Sequence, residues 1–478
     1  MPFDRSSPEG DNANDAAIID RERGLHKSLT KAQAVMIGLG GTIGTGLFMG
    51  SGIAIGYAGP AVIISYAIAG FAALIVVFSL SEMAVAHPAA GSFGVYAEAY
   101  LNPWAGFMVR YTYWLAQVIA IGGEAVAAGL YMTYWFPDVP VWMWSVGFAG
   151  GLLYVNSRSV ANFGTFEYWF ALIKVIAIVF FIILGIVDIF GIGSTPVGLH
   201  NMVGLPGGFF PHGAGGVWMA VIVGIFSFFG IEVIAVASGE IKEPAKVIPA
   251  ALRTLTIRLL LFYVLGLSVV VAFVPWTATG ATVVAQSPFV KVLTYSGVPY
   301  AAGIMNFVVV TAALSSINTN IYLCSRMIFS LSRGGYAPSL LGKLNHSGVP
   351  VAAILASGAG IMVSAALSRL TPLAYNYLFG IALFDAIIVW MIILASHLVF
   401  RGRHKQMALT VRAPFFPFLQ IAGLLLLGAL VITMGLDPAW NLSWIVGVPW
   451  LVLITAIYFV WKMRRKRRVQ LVAGGMSK

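Results

Sequence analysis

Val35-Met36-Ile37-Gly38-Leu39-Gly40-Gly41-Thr42-Ile43-Gly44-Thr45-Gly46-Leu47-Phe48 decides how the rest of the chain is read. It lies inside an apolar run, about residues 32–55, long enough to cross a bilayer. Gly38, Gly40, Gly41, Gly44 and Gly46 crowd its middle, and each costs a helix interior roughly 1 kcal/mol relative to alanine. That density predicts an opened backbone in mid-run. At membrane depth, opened backbone is tolerated only where it lines a cavity or is buried in protein. Its freed groups suit a small zwitterion: a half-helix N-terminus faces the anion and loose carbonyls face the cation. Close helix packing is the other use of small residues, but this run is denser than packing needs. A dinucleotide site is excluded, since no strand precedes Gly44-x-Gly46 and no acid follows at the right distance. A phosphate loop is excluded because no Gly-Lys-Ser/Thr ends the run.

Composition agrees with a membrane setting. The chain has 478 residues, 59% hydrophobic and 9% charged, with mean hydropathy +0.90. A soluble domain carries about a quarter charged residues. The net charge of +11 does not point to nucleic acid, because the basic residues lie in short connections and the tail, as the positive-inside rule requires. Cys324 is the single cysteine, which excludes an intramolecular disulfide and most thiolate metal sites; it reads as a small buried hydrophobe. Residues 1–31 have no apolar core of a signal peptide.

Apolar runs predict twelve spans, at about 32–55, 60–84, 103–135, 141–157, 163–190, 216–239, 255–275, 299–331, 350–368, 373–400, 413–435 and 442–461. Residues 1–24 read as a disordered cytoplasmic tail, 25–462 as one membrane domain, and 463–478 as a basic cytoplasmic tail. Arg158, Lys242, Lys246, Arg253, Arg333, Lys343, Arg401, Arg403, Lys405 and Arg412 fall in connections on one side, with Lys291 and Arg369 on the other. Both termini are therefore expected inside. Trp135, Trp142, Trp276 and Trp440 mark span ends. Short helices are expected within 86–101 and 282–296.

The sixth span holds a second interruption, with Gly224, Ser227 and Gly230 in its middle and Glu232 just beyond. Four unbroken spans lie between the two interruptions and four follow the second. Two five-span halves, each opening on a broken helix, point to an inverted repeat, 32–190 and 216–400, with peripheral helices at 413–461. The fold class read here is an all-α polytopic membrane protein whose broken helices one and six meet near the midplane.

Gly40-Gly41-Thr-Ile-Gly44-Thr-Gly46-Leu-Phe, Ser-Glu82-Met, Pro88-Ala-Ala-Gly-Ser-Phe-Gly-Val-Tyr96, Tyr134-Trp-Phe-Pro137-Asp-Val-Pro140, Phe226-Ser-Phe-Phe-Gly-Ile-Glu232 and Gly239-Glu240-Ile-Lys-Glu243-Pro244 follow in unbroken order. With these motifs, residues 24 to 462 resemble the amino acid transporter family of the amino acid–polyamine–organocation superfamily. The resemblance implies a leucine-transporter-like fold and secondary transport of an amino acid across a bacterial cytoplasmic membrane. It does not distinguish among substrates. The reading favours a proton-coupled neutral amino acid carrier, with a cationic amino acid permease or an exchanger as alternatives.

Ionisable residues within spans are costly and mark function. Lys174, read as within two turns of the cytoplasmic end of its span, is a candidate proton-coupling group. The resemblance implies that its ammonium takes the place of a sodium ion, among carbonyls near Gly40 and Ile43 with Ser315 and Ser316. Glu124, mid-span with nothing nearby to neutralise it, is the second coupling candidate. Glu232 and Asp385 are gating or structural candidates; Asp385 faces the outer vestibule, a cationic side chain or a neighbouring helix. Glu240 and Glu243 read as solvated or paired with Lys242, Lys246 or Arg253. Glu82, Arg110 and Arg326 are candidates for inner-gate ion pairs.

The substrate carboxylate is assigned to the N–H groups of Gly44, Thr45 and Gly46, and its amine to the carbonyls of Ile43, Phe226 and Phe229. Thr42, Ser227 and Gly230 complete the candidate site. No cofactor or metal is expected; the partners are an amino acid and the lipid bilayer, the coupling ion a proton, and the chain a monomer, with a dimer as the alternative. A membrane enzyme lacks a constellation here: none of the seven histidines falls mid-span, and no His-x-x-x-His or Gly-x-Ser-x-Gly occurs. An ion channel would use a symmetric ring of ligands, not one asymmetric repeat.

Overall fold

The computed structural model describes residues 17–18, 25, 27–44, 46–192, 195–278, 287–370, 374–404, 407, 409 and 411–475. Thr30 starts the first helix, α1 (Lys31–Thr42), through a reciprocal cap with Gln33. α1 stops where the glycines accumulate: Ile43 has left helical geometry, with φ −86° and ψ 83°. The chain resumes as a π-helical turn, Gly46–Gly50, and continues as α2 (Ser51–Ala58). The order is then α3 (Val62–Ala86), α4 (Ser92–Tyr96), α5 (Pro103–Met132), α6 (Val141–Arg158), α7 (Val160–Phe190), α8 (His200–Val203) and α9 (Gly213–Phe228). After the second interruption come α10 (Val233–Val236), α11 (Pro244–Phe273), α12 (Pro288–Tyr295), α13 (Ala301–Arg333), α14 (Val351–Leu370), α15 (Ala374–Arg403), α16 (Phe418–Leu436) and α17 (Asn441–Gly475).

Among the described residues, nine helical segments are long and apolar enough to cross a bilayer. The difference from the twelve expected runs has local causes. Gly46–Ala86 counts as one continuous segment because the first run is cut at its glycines. α6 carries Ser145, Asn156 and Arg158 in its 18 residues and is not one of the nine. α11 begins at Pro244, ahead of the expected 255, because proline fits a first helical turn. α17 runs helically to Gly475, well past the expected span end at 461.

The α9–α10 segment, α5, α13 and α15 are the most enclosed, at 89%, 83%, 72% and 72% buried, while α16 and α17, at 28% and 22%, lie at the periphery. A large apolar core runs through the bundle, with a second, smaller cluster around Phe107, Ile328 and Tyr458. Trp135 and Trp142 are exposed at helix ends, as expected, but Trp440 is buried, its ring centroid 6.1 Å from that of Phe379. Cys324 is free and buried.

Candidate functional site

The two openings touch. Gly230 has φ +104°, a conformation that favours glycine, and a Cβ there would come 2.6 Å from the Gly41 carbonyl oxygen. The Tyr263 hydroxyl on α11 lies 2.9 Å from the Thr42 carbonyl oxygen and 2.6 Å from that of Ser227, so one side chain serves both breaks. Thr42 itself donates back to Gly38, 2.9 Å away. Further out, Leu29 and Ile241 form an isolated parallel bridge, tying the lead into α1 to the chain after the second break.

Between the openings is a small cavity. Of the expected substrate residues, Thr42, Gly44, Gly46, Phe226, Ser227 and Phe229 line it; Ile43 and Gly230 do not. Thr45 lies outside the described residues. Gly41, Ala120, Glu124, Ser316 and Asn320 complete the wall. An adjoining small space is bounded by Ile119, Gly123, Leu378, Phe379 and Ala382, with Glu124 the one charged residue on it among the described residues. The Gly44 N–H donates to the Thr42 carbonyl at 3.1 Å, and the Phe226 carbonyl accepts from the Phe229 N–H at 3.0 Å.

Lys174 lies in the middle of α7. It is fourteen residues past Val160, about 21 Å along α7 at 1.5 Å per residue, and fully buried. Its ammonium donates to the carbonyls of Gly40 at 2.5 Å and Ile43 at 2.8 Å, and to the Ser315 hydroxyl at 2.8 Å. A charge this buried requires partners. Ser315 and Ser316, expected together around this cation, divide: Ser315 meets Lys174 and Ser316 faces the cavity.

Sequence reasoning missed Glu167. Fully buried on α7, it accepts from the Ser315 hydroxyl and, at 2.9 Å, from the Asn318 amide, which in turn accepts from Asn156 at 2.8 Å. A Cβ on Gly40 would run into the Glu167 carboxyl oxygen, so this glycine makes room for an acid as well as for a bent backbone. The signal available was spacing: Glu167 and Lys174 are seven residues apart, on one helix face.

Glu124 is buried and lies beside Gly44, where a Cβ would be 2.7 Å from its carboxyl oxygen. Glu232 does not reach the first break. It accepts from the Gly230 N–H at 3.2 Å and from the Tyr113 hydroxyl at 2.8 Å, bracing its own opening. Asp385 is fully buried, neither oxygen has a hydrogen-bond partner among the described residues, and it lines neither cavity.

Three ion pairs cluster where α3, α5, α13 and α15 approach the α4 region. Arg110 meets Glu98 at 2.8 Å, Arg326 meets Glu240 at 2.8 Å, and Glu82 meets Arg401 at 2.9 Å and His397 at 3.1 Å. Glu240, expected to be solvated or paired locally, is fully buried between Arg326 and Tyr322. Its neighbour Glu243 pairs with Lys246 at 3.4 Å on the surface. Removing one member of a buried pair costs about 3–5 kcal/mol.

A bundle of apolar helices with two opened segments around one small polar cavity has the architecture of a solute permease. Residues 33–471 match the family model for amino acid permease, and the chain belongs to that family. It is 39% identical to "Uncharacterized amino acid permease YtnA" of Bacillus subtilis (strain 168), over 91% of this chain and 95% of that one. It is 38% identical to the "Gamma-aminobutyric acid permease" of the same organism, over 94% and 95%. It is 36% identical to "Aromatic amino acid transport protein AroP" of Salmonella typhimurium (strain SL1344), over 91% and 95%. The family consists of permeases, not enzymes.

Proposed function

We propose that this permease takes up a neutral amino acid across the bacterial cytoplasmic membrane by alternating access coupled to protons. In this reading twelve spans form two inverted five-span halves and two peripheral helices, with both termini inside. The observation that carries it is the Lys174 ammonium seated on two carbonyls of the first break. A protonated lysine there does what a bound metal cation would do, holding the opened backbone in one shape. Losing the proton weakens those charge-assisted bonds and frees the break to move.

The substrate's ammonium meets carbonyls at the C-terminal ends of the half-helices, at Phe226 and Phe229. Its carboxylate meets the N–H groups from Gly44 to Gly46, displacing the Gly44 bond to Thr42. The side chain enters the adjoining space, whose wall is apolar apart from Glu124. Asp385, the residue best suited to a cationic side chain, lines neither cavity. Moving one charge through about 100 mV supplies about 2.3 kcal/mol, enough for roughly fifty-fold accumulation.

The test uses purified protein in proteoliposomes, offered each of the twenty amino acids and 4-aminobutyrate in radiolabelled form. A neutral amino acid is expected to accumulate under an inside-alkaline gradient, and a protonophore to abolish this. Lys174→Ala is expected to lose gradient-driven accumulation. Normal pH-dependent accumulation by Lys174→Ala, or accumulation that requires sodium, contradicts the reading.

A further inference from the structure

Lys174 has no direct contact with bulk water, so its proton needs a first acceptor inside the protein. Its ammonium donates to the Ser315 hydroxyl at 2.8 Å, and that hydroxyl donates to the Glu167 carboxyl. All three side chains are fully buried. Asn318 fixes the other Glu167 oxygen at 2.9 Å and is itself held by Asn156. Gly40 leaves the space the carboxyl occupies. These bonds form a continuous donor-to-acceptor chain.

We propose that Glu167 is the proton acceptor of Lys174, reached through the Ser315 hydroxyl. This rests on the proton coupling proposed above. One proton leaves Lys174 Nζ for Ser315 Oγ as the Ser315 hydroxyl proton passes to the Glu167 carboxylate. An ammonium and a carboxylate become an amine and a carboxylic acid; Ser315 ends as it began, and the net charge of the site stays constant. Direct loss of the proton from Lys174 to water would instead leave the carboxylate buried and uncompensated, which is costly. Once neutral, the amine holds the Gly40 and Ile43 carbonyls less tightly, and the first break is released.

Among the described residues, Glu167 is the carboxylate joined to Lys174 through a hydrogen-bonded hydroxyl. Facing the pair, α1 contributes backbone, α13 contributes Ser315 and Asn318, and α6 contributes Asn156. On α11, Arg258 points to the surface. Among the described residues, the further charge acting on Lys174 is Glu124, which belongs to the cavity wall.

The experiment compares wild type, Glu167→Gln, Ser315→Ala and Ser315→Thr in proteoliposomes. Radiolabelled L-alanine, L-threonine, L-phenylalanine and 4-aminobutyrate are tested singly, and whichever wild type accumulates is then used. The readout is accumulation under an inside-alkaline gradient divided by counterflow without a gradient, across a pH series. Glu167→Gln is expected to lower this ratio about tenfold and to alter its pH profile. Ser315→Ala is expected to follow, and Ser315→Thr to restore the ratio. A structural role alone would depress both activities together and leave the ratio unmoved. A wild-type ratio and pH profile in Glu167→Gln, where wild type responds to the gradient, overturns the relay and leaves the proposed function standing. If Glu167→Gln fails to fold, an unchanged ratio in Ser315→Ala overturns it equally. No gradient response by wild type with any of the four substrates overturns the proton coupling, and the relay with it.

Discussion

Gly230 of the second opening lies against Gly41 of the first, so closely that a Cβ on Gly230 would stand 2.6 Å from the Gly41 carbonyl oxygen. Two backbones that need this approach, one of them at φ +104°, leave no room for a side chain. Gly230→Ala is predicted to cost about 1–3 kcal/mol through backbone strain, before the clash is counted. Thermal unfolding of the purified protein and counterflow are both expected to fall. Wild-type melting and wild-type counterflow in this variant would refute the close approach.

Tyr263 is the side chain shared by the breaks. Its hydroxyl faces the carbonyls of Thr42 and Ser227, and Tyr66 meets the Ser227 hydroxyl at 3.1 Å. Tyr263→Phe keeps the ring and removes the donor, leaving buried carbonyls short of a partner at a cost of about 1–3 kcal/mol. If that cost falls on the substrate-bound geometry, apparent affinity drops roughly tenfold for each 1.4 kcal/mol. Competition counterflow measures this; an unchanged half-saturation concentration would mean that Tyr263 does not set the geometry of the site.

Both breaks were legible in the sequence because glycine density is a local signal, and so was Lys174, a lone cation in an apolar run. Glu167 was not. It lies in Thr165-Phe-Glu-Tyr-Trp169 near the start of its span, where an acid reads as a surface charge, and its partners Ser315 and Asn318 come from α13. Glu240 misled for a similar reason: Lys242 and Glu243 beside it suggest solvent, while its partner Arg326 is 86 residues away. Long-range pairing leaves no trace in periodicity. The division of Ser315 from Ser316 follows simply from helix geometry, since adjacent residues point about 100° apart.

His87 follows the last residue of α3, outside the membrane-spanning segments. Burial, reinforced by the charge of His404, pushes its pKa down to about 4 from 6.5. The folded state therefore holds fewer protons here than the unfolded state between about pH 6.5 and pH 4. Stability tied to His87 is complete above that window and is lost as pH falls through it. Melting temperature recorded across the window is predicted to fall less steeply for His87→Gln than for wild type. Superimposable acid limbs would show that His87 does not contribute.

The central claim is that the two facing breaks hold both charges of a free amino acid. Competition against wild-type uptake measures this most directly, using the transported amino acid, its N-acetyl derivative and its carboxamide. N-acetylation removes the ammonium proposed to meet the carbonyls of Phe226 and Phe229. The carboxamide removes the carboxylate proposed to meet the N–H groups of the first break. The account predicts that the free amino acid competes fully and that each derivative is weaker by about a hundredfold, the loss of roughly 2.7 kcal/mol for one charged partner. Equal competition by either derivative would contradict it.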